Sequence, residues 1–447
     1  MSVRITTPGA QMAEPASPQL LFVGGAGNAT LAVDVVETAI RQARKRGLRI
    51  HVTNQEATLA ATPAITALAD AASAVDFEAP GATAAWARER AAAGESFDVV
   101  FGVREMAQEA VAEAADALGR PGNPPHAVHR VRTKDEARAA LAAAGFLQPA
   151  FRVCADEAEA RAFLDGSTGP WVVKPRDAMG SEGVTRIDGP DELAAALDFL
   201  PEDGRGSFIV EEFVEGPEYS AEGVFVDGVP RVLALTSKEL LPPPNFFEIE
   251  YVIPAILPED TAREIERQVV AALTALELRY GQFHVELWWT ERGVVLGEVH
   301  VRNAGGWIHR MLAHVIPGLE WFGLVFDDVL GNPVDAEALK PVRGSAIRFL
   351  TPPPGRLVAV EGWDEVLAHP NLIHAELALA PGDVIAEHRS VGNRVGHIAV
   401  GADTSEEAQA LARKLEASVR FITEPVAAEP AGDTAEAVAE PAEAAAP

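Results

Sequence analysis

The chain has 447 residues, 48% of them hydrophobic, and a formal net charge of −29 at pH 7. This length leaves room for about two to four domains with a large core. The acidic balance argues against a nucleic-acid binder and against attachment to anionic lipid, because both need a basic surface. Cys154 is the only cysteine, which excludes a disulfide within the chain and a cysteine-based zinc site. Without a recognisable signal peptide or a long apolar run, the sequence predicts a soluble, cytoplasmic protein.

Residues 19–120 are predicted to form a parallel α/β domain. Its strand and helix patterns alternate, with strands at 20–25, 48–53, 73–77 and 97–103 and helices at Thr30–Arg46 and Glu105–Leu118. Such alternation is typical of a parallel sheet with helices on both faces. The turn GGAGN at 24–28 lacks the third glycine of a dinucleotide-binding loop, so a plain turn before a helix is favoured.

Two segments rich in proline or small residues bound the ordered chain, and one divides it. The segment PGNPP at 121–125 predicts a domain boundary. Residues 1–18 and 424–447 lack the periodicity and the apolar content of a core, so both ends are predicted to be disordered tails.

A glycine-rich loop follows the strand that carries Lys174. The loop contains Gly180, Ser181 and Gly183, and the chain then returns as a second strand, VTRI. A Walker loop would open a helix, so this segment is predicted to be a hairpin. Backbone N–H groups of small residues can close over phosphate oxygens, with a lysine nearby supplying positive charge. A glycine-rich hairpin without a ligand explains the same pattern equally well.

The segment 207–228 combines an apolar strand with acidic residues around a turn. Glu211 and Glu212 end the strand, Phe213-Val214 follow, and Glu218 comes after the turn. Backbone groups at such a hinge can hold a purine, and an acidic side chain can bind a sugar hydroxyl. Taken alone, the segment is better explained as a corner between two strands with solvated acids.

Residues 280–306 predict an antiparallel hairpin. Its strands are Gln282–Thr290 and Val294–Arg302, joined by the three-residue turn Glu291-Arg292-Gly293. Since side chains alternate between faces, one face is apolar and is formed by Phe283, Val285, Leu287, Val299 and Val301.

The other face of this hairpin carries paired polar residues. The predicted register places Gln282 opposite Arg302, His284 opposite His300 and Glu286 opposite Glu298. Facing carboxylates repel each other unless a divalent cation lies between them, and hard cations take oxygen ligands of this kind. An amphipathic hairpin whose polar face meets water is the alternative.

Over residues 20–423 the chain resembles the ATP-grasp superfamily. The resemblance lies in the order of five features: Lys134, Lys174, the glycine-rich hairpin, the acidic hinge and the paired-acid hairpin. Within the superfamily, the chain is most similar to the carboxylate–amine ligases that join amino acids into dipeptides. The resemblance implies a fold of mixed α/β and α+β class. Its predicted parts are the N-terminal parallel α/β domain at 19–120, a small ATP-grasp subdomain at 121–210, a large one at 211–340 and a C-terminal α+β part at 341–423.

The resemblance also implies roles for these residues. ATP phosphates would be bound by Lys134 and Lys174 and covered by Gly180, Ser181 and Gly183, of which Lys174, Gly180 and Ser181 would assist catalysis. Lys238 is a separate candidate to reach a phosphate. Adenine would be held by Glu211, Glu212, Phe213 and Val214, and ribose by Glu218. Mg²⁺, with Mn²⁺ as the alternative, would be carried by Glu286 and Glu298. Catalytic Arg302 would face the γ-phosphate and the acyl-phosphate.

The chain departs from the family at His300, where the family usually has Asn. Asn offers an oxygen ligand that suits Mg²⁺, whereas imidazole suits softer metals. Position 300 is therefore expected either to contact substrate or to leave the second ion to the two glutamates and the phosphates.

Substrate selection is expected in segments 237–257 and 305–311. The candidates are Glu248 or Glu250 for a substrate ammonium, and Gly305, Gly306 and Trp307 for the wall of the amino-acid pocket. The plainer alternatives are solvated acids and a core aromatic, and for Lys238 a surface position. His309 is expected to be a surface or packing residue.

The predicted reaction is the ATP-dependent joining of a small carboxylate and a small amine, amino acids above all, and it is compatible with a homodimer. ATP would convert the carboxylate into an acyl-phosphate with release of ADP, and the amine would then displace phosphate. The alternatives are a biotin-carboxylase-like or purine-pathway-like ligase, and a nucleotide-binding regulator without turnover. The intact set of Lys174, Glu286, Glu298 and Arg302 argues against the regulator.

Overall fold

The computed structural model describes residues 17–176, 180–242, 246–388 and 394–426. Nearly all of the two predicted tails lies outside these residues, as do 177–179 of the glycine-rich loop and 243–245 of a predicted substrate segment. Among the helices of the described residues, none has the length and apolar character needed to cross a membrane.

The first unit is a four-stranded parallel sheet with helices on both faces. Its elements are β1 (Gln19–Val23), α1 (Thr30–Lys45), β2 (Arg49–Asn54), α2 (Glu56–Ala61), α3 (Pro63–Thr66), β3 (Ala71–Ala74), α4 (Ala82–Ala92), β4 (Val99–Phe101), a 3₁₀ turn (Glu105–Ala107) and α5 (Gln108–Leu118). The strand order is β3-β2-β1-β4. Leu20 and Phe22 pack in one hydrophobic cluster with α1, and Leu21 and Val23 pack in another with α5. The predicted parallel sheet is confirmed, although β3 begins two residues before the predicted strand.

The second unit carries the glycine-rich loop. Its elements are α6 (Pro125–Arg132), α7 (Lys134–Ala143), β5 (Phe151–Cys154), α8 (Glu157–Asp165), β6 (Trp171–Pro175), β7 (Thr185–Ile187), a 3₁₀ turn (Pro190–Glu192), α9 (Leu193–Phe199), a 3₁₀ turn (Glu202–Gly204) and β8 (Phe208–Glu212). The four strands form a sheet in the order β5-β8-β6-β7. Antiparallel pairing of β6 with β7 confirms that Lys174 stands on a strand–loop–strand hairpin and not before a helix.

The third unit is built on an eight-stranded sheet. Its elements are β9 (Glu218–Val226), β10 (Val229–Leu240), β11 (Glu248–Ile253), α10 (Glu259–Ala275), β12 (Gln282–Thr290), β13 (Gly293–His300), α11 (Ile308–Val315), α12 (Gly323–Leu330), a 3₁₀ turn (Ala336–Ala338), β14 (Gly344–Phe349), β15 (Gly355–Glu361), α13 (Trp363–Leu367), β16 (Leu372–Leu377), β17 (Val384–Ile385), β18 (Gly396–Ala402), α14 (Ser405–Ser418) and β19 (Arg420–Glu424). The large sheet has the order β13-β12-β9-β10-β11-β14-β18-β16, and β17-β15-β19 form a small sheet beside it.

The hairpin of β12 and β13 forms as predicted, but the predicted pairing of strands is wrong from Glu286 and Glu298 to the turn. His284 pairs with His300 and Val285 with Val299, as expected, whereas Leu287 pairs with Leu296. One residue of β12, Glu286, therefore stands against two residues of β13, which is a β-bulge.

The bulge also changes the two ends of the hairpin. Thr290 pairs with Gly293, so the turn has two residues, Glu291 and Arg292, instead of three. The strand β13 ends at His300, so the predicted pairing of Gln282 with Arg302 is wrong as well. The predicted apolar face is confirmed, since all five of its residues lie in one hydrophobic cluster.

Glycine permits this bulge. A Cβ at Gly297 would lie 2.9 Å from the Trp288 ring and 3.1 Å from the Glu286 carbonyl oxygen. A larger side chain would therefore force the two strands apart at this point. Because the bulge absorbs one residue, Glu286 and Glu298 still point into the same cavity.

Candidate active site

A cavity of about 480 Å³ lies between the second and third units. Its lining includes every site residue predicted from the sequence except Gly183, Trp307 and, of the two alternatives for an ammonium, Glu250. The strands β6, β8, β9, β10, β11, β12 and β13 each contribute at least one of these side chains. Residues that are far apart in sequence therefore face one space large enough for a small-molecule ligand.

Three predicted residues lie away from the cavity for identifiable reasons. Gly183 has φ +68°, and a Cβ there would lie 2.6 Å from Pro201, so this glycine serves the shape of the loop. Trp307 is buried and stacks on His374 with ring centroids 3.7 Å apart. The core alternative therefore describes the position of Trp307. Glu250 is buried in ion pairs with Arg413 and Arg348 on the other side of the sheet.

Lys174 is held by a buried ion-pair cluster at one end of the cavity. Its Nζ lies 2.7 Å from Oε1 of Glu211, and Nε of Arg138 lies 2.7 Å from Oε2 of the same carboxylate. Burial alone would raise the pKa of Glu211, but Arg138 and Lys174 hold that pKa below its ordinary value. Burial lowers the pKa of Lys174, with Glu211 opposing it. Glu211 thus fixes the position of the Lys174 ammonium group.

Two backbone N–H groups of the hinge after β8 already donate hydrogen bonds within the protein. The N–H of Glu212 donates to Ala150 O and the N–H of Phe213 donates to Pro170 O. An adenine at these two residues would therefore have to use their carbonyl oxygens. The prediction that Val214 and its neighbours hold the base stays a prediction.

Glu286, Glu298 and His300 form a group that fits a divalent cation. One possible ligand atom from each residue lies within 4.8 Å of the others. Lys134 Nζ lies 3.5 Å from Oε1 of Glu298, and His300 Nε2 lies 3.4 Å from its Oε2. Burial would raise the pKa of Glu298, but Lys134 and His300 hold it well below its ordinary value. The carboxylate is therefore ionised at neutral pH, as metal binding requires.

Lys238 is buried among three carboxylates and is not the surface lysine that the sequence left open. Its Nζ lies 2.9 Å from Glu248 and 3.3 Å from Glu218, and it also contacts Glu286. Burial raises the pKa of Glu218 to about 7. Lys238 lowers this pKa, whereas the nearby carboxylates of Glu286 and Glu248 raise it further. This ammonium group neutralises part of a dense acidic surface.

Glu105, a residue of the first unit, also belongs to the site and was not predicted from the sequence. Its Oε2 accepts a hydrogen bond from Nε of Arg302 at 2.8 Å and lies 2.9 Å from Nδ1 of His300. The carboxylate is buried, yet His300 and Arg302 hold its pKa well below the ordinary value. No local motif marks this residue, since its partners are almost two hundred positions away.

Two further missed residues carry a periodic signal. Arg138 lies four positions after Lys134 on α7, which puts both on one face of the helix. Glu222 shares a face of β9 with Glu218 and is completely buried. Its Oε2 lies 2.9 Å from Nδ1 of His284, whose Nε2 lies 3.3 Å from Glu286.

One part of the cavity wall, formed by Glu248, Tyr251 and Arg394, carries both signs of charge. Glu248 Oε2 lies 2.9 Å from Nη2 of Arg394, which also lies 3.1 Å from the Tyr251 hydroxyl. The Arg394 guanidinium stacks 3.5 Å from the centroid of the Phe349 ring. Arg394 was missed because its loop, between β17 and β18, has no recognisable motif.

Two family models match parts of this chain. A model of the ATP-grasp domain matches residues 167–310, and one of the L-amino acid ligase C-terminal domain 2 matches residues 348–424. The chain is 27% identical to the uncharacterized protein y4rH of Sinorhizobium fredii over 344 residues, 74% of this chain and 70% of that protein. It is also 27% identical to the alanine–anticapsin ligase of Bacillus subtilis over 214 residues, 42% of this chain and 45% of that ligase.

Solved structures show the same architecture. The L-amino acid ligase from Bacillus licheniformis superposes with a TM-score of 0.73 at 23% identity, covering 91% of this chain and 99% of that one. The fold predicted from the sequence is confirmed.

Proposed function

Because the chain belongs to the ATP-grasp superfamily, we propose that it is an ATP-dependent ligase that joins the carboxylate of one amino acid to the amine of another. The family matches support the coarser class, an ADP-forming carboxylate–amine ligase. One observation carries the proposal: Lys134, Lys174, Glu286, Glu298 and Arg302 all face one cavity. These residue types are the ones that phosphoryl transfer requires.

The end of the cavity near Lys174 would bind the nucleotide. Lys134 and Lys174 would contact its phosphates, and Gly180 and Ser181 line the wall that would close over them. Glu286 and Glu298 would hold Mg²⁺, which when bound neutralises charge on the β- and γ-phosphates. The two carboxylates are preorganised for this role, since neighbouring cations keep both ionised.

Activation of the carboxylate would take place beside Arg302. A carboxylate is a poor electrophile, and its phosphorylation gives an acyl-phosphate that an amine can attack. The Arg302 guanidinium is fixed through Nε by Glu105 and through Nη1 by the Asn303 carbonyl. An arginine fixed in this way offers a permanently charged, oriented donor to a phosphate or carboxylate. The loop that holds Gly180 and Ser181 would exclude water, which would otherwise hydrolyse the intermediate.

Amino-acid substrates are favoured by the part of the cavity wall that Glu248, Tyr251 and Arg394 form. A zwitterion presents an ammonium and a carboxylate, and Glu248 and Arg394 offer one partner for each. The Tyr251 hydroxyl contacts both of these side chains. The domain match at 348–424 also favours amino-acid ligases over the biotin-carboxylase-like and purine-pathway-like alternatives.

The test uses the purified protein with ATP, Mg²⁺ and pools of amino acids. We expect ADP and phosphate to appear only when suitable amino acids are present, together with a product whose mass equals two amino acids less water. ATP binding with no amino-acid-dependent phosphate release from any pool would contradict the proposed function. Release that requires bicarbonate instead would favour a carboxylase.

A further inference from the structure

His300 has one ring nitrogen anchored and the other aimed at the acids of the cavity. Its Nδ1 lies 2.9 Å from Oε2 of Glu105, a residue that is only 6% exposed. Its Nε2 lies 3.4 Å from Oε2 of Glu298. The ring is itself buried and stacks on His284 with centroids 5.7 Å apart, so its orientation is fixed on two sides.

We infer that His300 is a third protein ligand of the divalent cation, positioned by Glu105 from the first unit, and that the site therefore favours transition-metal ions such as Co²⁺ and Mn²⁺ over Mg²⁺. This inference rests on the proposed function for the presence of a nucleotide-bound cation. It goes beyond it in naming the imidazole as a ligand, in giving Glu105 a positioning role and in predicting the preferred metals.

The anchoring by Glu105 matches what a ligating histidine needs. A metal-bound imidazole almost always uses its other nitrogen to contact a carboxylate, a carbonyl or water, which fixes the tautomer and the ring orientation. In the neutral imidazole, Nδ1 is the nitrogen that donates to Oε2 of Glu105, 2.9 Å away. That leaves Nε2 with a lone pair on the side of Glu298 and Glu286.

The identity of the ligand set then determines the preferred metal. Two carboxylates alone suit Mg²⁺, whereas an added imidazole favours transition metals, with affinity rising from Mn²⁺ to Co²⁺. A second acidic group in the cavity, Glu218, Glu248 and Glu286, already contains the ammonium of Lys238. The group with His300 shares Glu286, which contacts Lys238, and its Glu298 lies 3.5 Å from the ammonium of Lys134, so the imidazole is what distinguishes this group.

The test detects nitrogen coordination directly. Full-length protein is loaded with Mn²⁺ and ADP, and pulsed electron paramagnetic resonance is used to look for modulation from a directly bound nitrogen. We expect this modulation in the wild-type protein and its loss in His300→Asn. Replacing all histidines with ¹⁵N-labelled histidine should change the coupling without any substitution, so the test stands even if the variant fails to fold.

Metal competition and two variants complete the test. The affinity for Co²⁺ relative to Mg²⁺, measured by calorimetry with ADP present, should fall in His300→Asn. Glu105→Gln should weaken Mn²⁺ binding about 10–100-fold. His129→Asn, which removes a 60% exposed imidazole on α6, should change neither quantity. An unlabelled wild-type complex without nitrogen modulation, or a signal unchanged by ¹⁵N-histidine, would overturn the inference.

The two proposals fail separately. Nitrogen coordination without amino-acid-dependent ADP release would overturn the ligase function and leave the ligand assignment intact. Dipeptide formation in a protein whose Mn²⁺ shows only oxygen ligands would support the ligase function and overturn the assignment of His300 as a ligand.

Discussion

Three neighbours shift the pKa of Glu298: Lys134 and His300 lower it, and Glu286 raises it. We predict that Glu298→Gln lowers amino-acid-dependent ADP release by about 100-fold or more, because a metal ion contributes several kcal/mol of charge stabilisation to the transition state. The fold should persist, since the amide keeps the shape of the side chain. ADP release and circular dichroism are the measurements.

Glu291→Gln is the matched control, since it removes the same charge from the exposed turn of the same hairpin. Turnover near the wild-type rate in Glu298→Gln would contradict the metal assignment.

Glu218 gives a pH dependence opposite to that of an ordinary ion-paired acid. Its pKa in the folded protein is about 7, above the ordinary 4.5, so between these values the folded state binds more protons than the unfolded state. Stability from this group is therefore fully present below about pH 4.5 and is lost as pH rises toward 7. We predict that Glu218→Gln gains in Tm relative to wild type between pH 5 and pH 7. An equal Tm difference at both pH values would show that burial does not shift this carboxyl.

Individual site residues were predictable where a strand pattern or a glycine run places them. Lys174, Glu286 and Glu298 belong to such patterns, and all three line the cavity. Glu105 and Arg394 could not be found in this way, because their neighbours in sequence carry no related chemistry. Only the tertiary fold brings them to the cavity.

At the scale of elements, helix α14 and the hairpin show what sequence patterns encode. The helix spans Ser405–Ser418, and the Thr404 side chain that precedes it accepts a hydrogen bond from the N–H of Glu407, as an N-terminal capping residue does. The hairpin was predicted with its two faces correct and its bulge absent. Alternation of apolar and polar residues defines the faces, but a single extra residue at Gly297 leaves almost no trace in that alternation.

The bulge supplies a prediction for the hairpin as an element. Gly297→Val should lower Tm by the equivalent of about 1–3 kcal/mol, because the new side chain would overlap the Trp288 ring and the Glu286 carbonyl. Turnover should fall by more than the loss of folded protein explains, since the displaced strand carries Glu298. Thermal unfolding and ADP release measure the two effects.

Gly206→Ala is the control, because a Cβ at Gly206 would meet nothing within 4 Å. If Gly297→Val retained both wild-type Tm and turnover, the bulge would not depend on a small residue.

At the scale of the whole molecule, the alternation of strand and helix patterns predicted the parallel sheet of the first unit. The sheet orders were not predictable, because the eight-stranded sheet joins β9–β13 with β14, β18 and β16 from later in the chain. Pairing between strands so far apart depends on tertiary packing, which local periodicity does not record.

The composition of the C-terminal end yields a prediction for the full chain. Residues 427–447 consist largely of Ala, Glu and Pro and contain no Lys or Arg. We predict that deleting them leaves turnover and Tm unchanged, because such a segment lacks the apolar residues needed to pack on a core. A large loss of either quantity in the truncated protein would give this segment a role.

The contact made by Glu105 limits how this architecture can be recombined. One buried carboxylate is shared by residues 195 and 197 positions later in the chain. A chimera that took its first 120 residues from a relative without an acid at this place would leave the buried Arg302 guanidinium and His300 imidazole without their shared carboxylate, at a cost of several kcal/mol. Domain exchange should therefore succeed only between relatives that carry the acid and its two recipients together.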